Sequence, residues 1–331
     1  LGIRDVSIGL ELSPTLSREH IYIASGLSVE AITSILKRCL RTCGIDRDDL
    51  VYITRCFIDP EQSFGHLTEL DPQLPHAPQT CISILELQLP REAPESIGQR
   101  LDRLTQLLPL VRSYGAVVYY PSAQAQHPIA HVVSDLDGTL LQDELLVSLA
   151  RQVGLGQAFE KITQQAMLGA INFEDSFRQR TRMLAGTKRD LLEATARSAR
   201  LALGIEAFYR WLADCGLPLD IVTSNYDIFC QALQDRLTYD HYYASSPSFS
   251  GGELTGQFSG EIVDAEAKAR LVQTIARERY VSLDQMLVVG DGANDLPMLA
   301  YAGHAMLYCA SEIGATPALP LTTMIDLLRL S

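Results

Sequence analysis

Two aspartates two positions apart, Asp135 and Asp137, follow an apolar run in HVVSDLDGTL, and a third, Asp291, follows another in MLVVGDGAND, 156 residues after Asp135. A carboxylate at the end of a buried strand is costly to desolvate unless a positive or hydrogen-bonding group meets it. Thr223 and Ser224 end a third run, DIVTS. The ends of parallel strands converge in space, so these residues are expected to be neighbours, with Asp135 and Asp291 sharing a cation. Two carboxylates, one backbone carbonyl and several waters suit Mg²⁺, a hard ion that prefers oxygen ligands and keeps much of its hydration. A calcium EF-hand does not fit the first stretch, because its glycine position holds Leu140 and its twelfth position holds Leu146. Either stretch alone could be a turn or a helix cap. The two together, each closing an apolar run, favour catalysis.

Three further charged residues point the same way. Lys268 lies in DAEAKARLVQTIARERY with Val272 and Ile275 four and seven positions later, so its ammonium falls on the apolar face of the helix. A snorkelling side chain is the plainer reading, but a lysine in the first turn also opposes the helix dipole, and the combination suggests an anionic target. Arg180 shares a helical stripe with Phe173, Phe177 and Leu184, where a guanidinium needs a partner. Glu144 sits in the first turn of a helix, where an acid is stabilising without further role. With Arg180 it gives one segment opposite charges, which suits a zwitterionic substrate.

These residues need elements to hold them. From residue 130 the chain alternates short apolar runs (HVVSD, LPLDIVTS, HYYAS, QMLVVGD, HAMLYC) with helical segments, the pattern of a parallel sheet covered on both faces. Its ligand site is expected beyond the carboxyl ends of the strands. A helical stretch at about 143–203 without strand signals is expected to lie over those ends as a cap. Residues 20–120 read as strand, helix, strand, strand, helix, strand, a ferredoxin-like βαββαβ order, with SVEAITSILKRCLRTCG and PESIGQRLDRLTQLLPLVRSYG as the helices. The expected fold is therefore α/β, a doubly wound parallel sheet with a helical cap over residues 131–331. A ferredoxin-like α+β domain over 1–120 precedes it, joined by a linker at 121–130.

Composition bounds the rest. The 331 residues are 47% hydrophobic and 20% charged, near the globular norm and enough for two domains. A net charge of -13 without a Lys/Arg run argues against a nucleic-acid partner. Seven cysteines, at 39, 43, 56, 81, 215, 230 and 309, form no Cys-x-x-Cys pair and read as reduced thiols in the cytoplasm. Cys39 and Cys43, four apart on an expected helix, read as packing residues. No apolar stretch suits a membrane span or a signal peptide, and the opening residue, Leu1, makes an earlier start an expectation.

DLDGTL, IVTSNYD, Lys268 and GDGAND resemble the four motifs of the haloacid dehalogenase (HAD) superfamily, and residues 131–328 are similar to its phosphoserine phosphatase family. AMLGAINFEDSFRQR resembles that family's cap segment, with Glu144 nine residues after Asp135. The resemblance implies Mg²⁺-dependent hydrolysis of O-phosphoserine, the last step of serine biosynthesis. Asp135 would be the nucleophile and Asp137 the general acid and base. Asp135, Asp291 and the Asp137 carbonyl would hold the metal. Lys268, Thr223 and the Ser224 N–H would grip the phosphoryl group, with Asn294 on the substrate side. Glu144 would meet the substrate ammonium and Arg180 its carboxylate, and Asp295 would orient neighbours rather than bind metal. Gly138 stands where the family commonly has Ser, and Thr223-Ser224-Asn225 where it has Ser-Gly-Gly. The retained backbone N–H groups, and the tolerance of Asn for positive φ, keep phosphate binding in the expectation. The altered motif leaves open another small phosphorylated metabolite as substrate, and a non-catalytic amino-acid sensor is the alternative of another class. The N-terminal region resembles an ACT-like domain through its element order and GLSVEAITSIL, which implies an amino-acid effector or homodimer formation.

Overall fold

Val132, Val133, Ile221, Val222, Leu287 and Val288 are wholly buried, as strands covered on both faces require. They belong to a computed structural model that describes residues 4–7, 17–27, 31, 32, 35, 51–57, 82–91, 95–123, 125, 127–167, 170–312 and 318–329. Its strands in chain order are β1 (Arg4–Ser7), β2 (Ser17–Ser25), β3 (Val51–Phe57), β4 (Ile82–Arg91), β5 (Val117–Pro121), β6 (His131–Ser134), β7 (Leu219–Tyr226), β8 (His241–Ser245), β9 (Pro247–Ser250), β10 (Glu253–Phe258), β11 (Met286–Gly290) and β12 (His304–Leu307). Ten of them form one sheet in the order β1-β3-β4-β2-β5-β12-β11-β6-β7-β8. From β12 to β8 every neighbouring pair is parallel; from β1 to β5 every pair is antiparallel.

The two halves meet at β5 and β12, which pair antiparallel from Val118 opposite Leu307 to Pro121 opposite His304. Alternate residues of each strand supply opposite faces: Tyr119, Val132, Ile221, Leu287 and Met306 join one apolar cluster, and Val118, Val133, Val222, Val288 and Leu307 the other. Both clusters therefore run through the seam without a break.

Helix α1 (Ile97–Tyr114) begins in a capping box, where Ser96 accepts from Gln99 N–H and the Gln99 side chain returns to the Ser96 N–H, and it stops at Gly115 with φ 62°. Its buried face is Leu104, Leu107, Leu110 and Val111. Helices α2 (Leu145–Gln152), α3 (Gly156–Met167), α4 (Phe173–Met183) and α5 (Arg189–Ser198) make the cap segment between β6 and β7, and α6 (Ile205–Cys215) and α7 (Asp227–Leu233) flank β7. Helix α8 (Ala265–Glu278), α9 (Leu296–Tyr301) and α10 (Leu321–Leu328) complete the layers. Asp264 caps α8 by accepting from Ala267 N–H, which fixes the first turn that carries Lys268.

Strands β9 and β10 form a separate two-stranded hairpin that the apolar pattern alone does not announce. Gly251 and Gly252 turn it at φ 60° and 82°, and it leans on the cap through Gly186 N–H to Leu254 O at 2.8 Å and Leu254 N–H to Thr187 O at 2.9 Å. The expected first helix of the N-terminal region lies largely outside the described residues, as do Cys39, Cys43 and Cys81; Ala31, Ile32 and Ile35 are helical. Cys215, Cys230 and Cys309 are free thiols. Among the described residues, no helix is long and apolar enough to cross a membrane.

Candidate active site

Asp135 follows β6, Asp291 follows β11, and Thr223, Ser224 and Asn225 end β7. Neighbouring parallel strands bring all of them to one end of the sheet. Lys268 enters from α8 with no exposed surface, so it does not snorkel. Its ammonium donates to Asp135 Oδ1 at 2.6 Å and to Asp295 Oδ1 at 2.7 Å. Asp295 Oδ2 in turn accepts the N–H groups of Asp291 at 3.0 Å and Gly292 at 2.9 Å. Asp295 is thus fully engaged in shaping the loop after β11.

Carboxylate oxygens of Asp135, Asp291 and Asp295 lie within 4.8 Å of one another. With both Asp295 oxygens taken, Asp135 and Asp291 are the carboxylates available to a cation. Asp291 Oδ2 is buried and makes no hydrogen bond, although the Arg112 guanidinium places Nη2 3.0 Å from it, so its capacity to accept is not filled. An all-oxygen set of this kind fits a hard divalent ion.

The electrostatics agree. Burial, and then repulsion from Asp295, lift Asp135 to about 7 despite the Lys268 ammonium. Burial and the charges of Glu144 and Asp135 push Asp137 well above the carboxylate range, with Asn225 opposing. Asp291 is raised by burial, with Arg112 opposing and Asp295, Asp135 and Glu144 adding to the rise. Burial works against the Lys268 ammonium, but Asp135 and Asp295 outweigh it and hold it above its ordinary value. This is a site with more buried negative charge than the protein's own cations balance.

A cavity of about 540 Å³ opens over these groups, lined by Asp135, Asp137, Thr223, Asn225, Lys268 and Asp291, with Ser224 and Asn294 at its wall. Glu144 and Arg180 line it from the cap. Among the described residues Arg180 has no ion-pair partner: its guanidinium sits 5.7 Å from the Phe177 ring centre and its Nε 3.4 Å from Ser176 O. Burial draws Arg180 below its usual value, with Tyr226 and Glu144 opposing. The cap is tied to the end of β7 by the hydroxyls of Thr181 and Tyr226, 2.7 Å apart.

Residues 132–300, just over half the chain, match the family of haloacid dehalogenase-like hydrolases. The chain belongs to this family. Among relatives of this HAD-like hydrolase, a phosphoserine phosphatase from Archaeoglobus fulgidus is 32% identical over 223 residues, 67% of this chain and 63% of its own. One from Streptomyces coelicolor is 35% identical over 55% of this chain and 44% of its own. The match therefore spans less than two thirds of either relative. A phosphoserine phosphatase from Methanocaldococcus jannaschii is 31% identical over 55% of this chain and 86% of its own. A solved HAD family hydrolase from Salmonella enterica serovar Typhi shares the fold, with a TM-score of 0.57 at 24% identity over 86% of this chain and 87% of that one.

Two departures from the HAD motifs acquire a physical reason. Gly138 has φ 73°, and a Cβ there would lie 2.6 Å from Asp291 Oδ2, so glycine is what lets Asp291 close over the first motif. Asn225 is not there for backbone freedom: Tyr280 is the one non-glycine residue with positive φ among those described. Instead the Asn225 side chain enters the site and donates to Asp137 Oδ2. Its N–H donates to Thr223 Oγ1 at 3.1 Å, which leaves the Thr223 proton free to point into the cavity.

One residue at the site of this HAD-like hydrolase carries no signal of its role in the sequence. Arg112, in the last turn of α1, lines the same cavity and places Nη2 3.0 Å from Asp291 Oδ2. Gly292 gives it room, since a Cβ there would stand 3.1 Å from the guanidinium.

Proposed function

We propose that the chain is a Mg²⁺-dependent phosphoserine phosphatase, hydrolysing O-phosphoserine to serine and phosphate. The observation that carries this reading is the shared cavity: the opposite charges of Glu144 and Arg180 line the same cavity as Asp135, Asp137, Thr223 and Lys268. Sequence likeness to curated phosphoserine phosphatases supports the same substrate.

In this mechanism an Asp135 carboxylate oxygen attacks phosphorus, and the bond from phosphorus to the serine oxygen breaks as Asp137 gives that oxygen a proton. Asp137 then takes a proton from water, whose oxygen attacks the aspartyl phosphate and frees Asp135. Lys268, the Thr223 hydroxyl and the Ser224 N–H hold the phosphoryl oxygens, and Asn294 meets the substrate side of the group. Arg180 pairs with the substrate carboxylate, and Glu144 with its ammonium. Asp135, Asp291 and the Asp137 carbonyl would hold Mg²⁺, which when bound offsets the repulsion between an anionic nucleophile and an anionic ester. The N-terminal unit, in the same reading, is an ACT-like regulatory or dimerising module.

Steady-state phosphate release tests the proposal, using O-phosphoserine against sugar and amino-alcohol phosphates, with and without Mg²⁺. Preference for O-phosphoserine that disappears on chelation is expected. Faster turnover of a sugar phosphate would assign the chain another substrate.

A further inference from the structure

We propose that Arg112 is a substrate-binding residue: helix α1, which lies ahead of residues 132–300 that match the HAD-like family, brings a guanidinium to the phosphoryl end of the cavity. The inference rests on the phosphatase reading above and adds a third cation, one that the segment before β5 supplies to the core.

The fold fixes where this side chain starts. Arg112 stands in the last turn of α1, which closes as Gly115 N–H meets Val111 O and Ala116 N–H meets Leu110 O, each at 3.1 Å. Leu104, Leu107 and Val111 of α1 share an apolar cluster with Leu296 and Leu299 of α9, and α9 begins directly after the loop that carries Asp291 and Asp295. Helix α1 packs against α9, and β5, which follows α1, pairs with β12. The helix dipole explains an arginine near a C-terminus. It does not explain one aimed at an acid of the core.

The guanidinium is placed at the acids without being committed to them. Nη2 lies 3.0 Å from Asp291 Oδ2, yet that oxygen accepts no hydrogen bond, so the charges meet without an aligned N–H. Arginine carries five donors in a planar fork that matches two oxygens of a phosphate. Carboxylate oxygens of Asp291 and Asp135 lie within 4.8 Å of each other, which sets the guanidinium one carboxylate away from Asp135, in the cavity that Lys268 and Thr223 also line. Arg180, the other arginine of that cavity, comes from the cap on α4 and sits against Phe177. Arg112 therefore takes the phosphoryl end and Arg180 the amino-acid end. Charge creates the same need. Asp135, Asp137, Glu144 and Asp291 all line the cavity, a phosphate monoester adds about two more negative charges, and Lys268 is already shared between Asp135 and Asp295. The Arg112 side chain is 45% exposed, so its fork can turn from Asp291 to an incoming anion while water solvates the rest.

The test separates the two ends of the substrate. At saturating Mg²⁺, Arg112→Gln in the full chain is expected to lower kcat/KM for O-phosphoserine about tenfold, the low end for a charge-assisted hydrogen bond because the side chain is half-exposed. The loss should be equal on ethanolamine phosphate, which keeps the phosphoryl group and lacks the carboxylate. As product inhibitors, inorganic phosphate should weaken by a similar factor, whereas serine should keep its inhibition constant within about twofold. Arg112→Lys, with the charge but not the fork, should recover part of the phosphate affinity. An unchanged phosphate constant in Arg112→Gln, or phosphate and serine weakened equally, would overturn the assignment and make Arg112 a tether between α1 and the loop after β11. A parent chain that turns over no phosphate monoester would instead remove the phosphatase reading. Calorimetric titration of inorganic phosphate into the parent and Arg112→Gln chains then still decides Arg112: equal affinities reject it, and weaker binding by the variant upholds it.

Discussion

The guanidinium of Arg112 stands 3.0 Å from the carboxylate of Asp291, so a residue of the helix preceding β5 reaches the acid that follows β11. Arg112 is half-exposed, while Asp291 is 3% exposed. Positive charge beside a dication site weakens the dication and favours an anion. Arg112→Gln is therefore expected to bind Mg²⁺ roughly threefold to tenfold more tightly, the scale of a partly screened charge contact, and inorganic phosphate more weakly. Calorimetric titration of metal and of phosphate reads both. Unchanged metal affinity would mean that the pair does not persist in solution.

Asp135→Asn removes the carboxylate that is the nucleophile in the proposed function but keeps its shape and an acceptor for Lys268, which retains Asp295. Turnover should fall by roughly a thousandfold or more, as when other covalent catalysts lose their attacking group. Burial and the neighbouring Asp295 hold the parent acid up to about 7, so its ionised form opposes folding at neutral pH when no cation is bound. The variant should accordingly melt at or above the parent in chelator. A lower melting temperature there would show that Asp135 supports the fold rather than straining it.

How much of this site was legible depends on how far the partner lay. The apolar runs ending in Asp135, Thr223 and Asp291 were readable because strand burial and strand ends are local patterns, and a lysine on an apolar helix face announces an anion. Arg112 was not readable: an arginine near a helix C-terminus is ordinarily explained by the dipole, and Asp291 is 179 residues away. The β5–β12 seam was hidden for a similar reason, since AVVYY shows a buried strand without naming its neighbour. The β9–β10 hairpin did leave a signal, Gly251-Gly252 between two short strands. Asn225 is visible in the sequence as a departure, but the positive φ that its type suggests is not what it adopts, and nothing local announces the contact of its side chain with Asp137.

Arg180 lines the cavity with its charge unpaired among the described residues, and Phe177 flanks it. In the proposed function, a substrate carboxylate is the partner of Arg180. Arg180→Ala should lower kcat/KM for O-phosphoserine by roughly tenfold to a hundredfold, the worth of a charge-assisted hydrogen bond. Ethanolamine phosphate, which has the ammonium but no carboxylate, should be nearly unaffected. Equal losses on both esters would make Arg180 a structural residue of α4.

At the opposite end of the strands, Asp220 is fully buried near the start of β7 and accepts from His131 Nε2 at 3.1 Å, Arg279 Nη2 at 2.7 Å and His241 N–H at 3.0 Å. Burial alone would raise this acid, but hydrogen bonds from His131 and Arg279 outweigh it and hold Asp220 below the ordinary carboxylate value. A depressed folded value means that the unfolded chain binds the proton more readily. The stabilisation is complete above the unfolded value, about 3.9, and is lost as pH falls through the folded one. Asp220→Asn leaves Arg279, whose side chain is partly exposed, without its carboxylate and should cost roughly 1.5–3 kcal/mol at neutral pH, the worth of hydrogen bonds to a charged group, while flattening the acid side of the stability curve. Denaturant unfolding of both chains between about pH 3 and pH 7 reads the difference. Because Asp220 is remote from Asp135 along the sheet, turnover of the folded variant should match that of the parent. A variant that loses stability equally at pH 3 and pH 7 would show that packing, and not the charge of Asp220, ties β7 to α8 and β8.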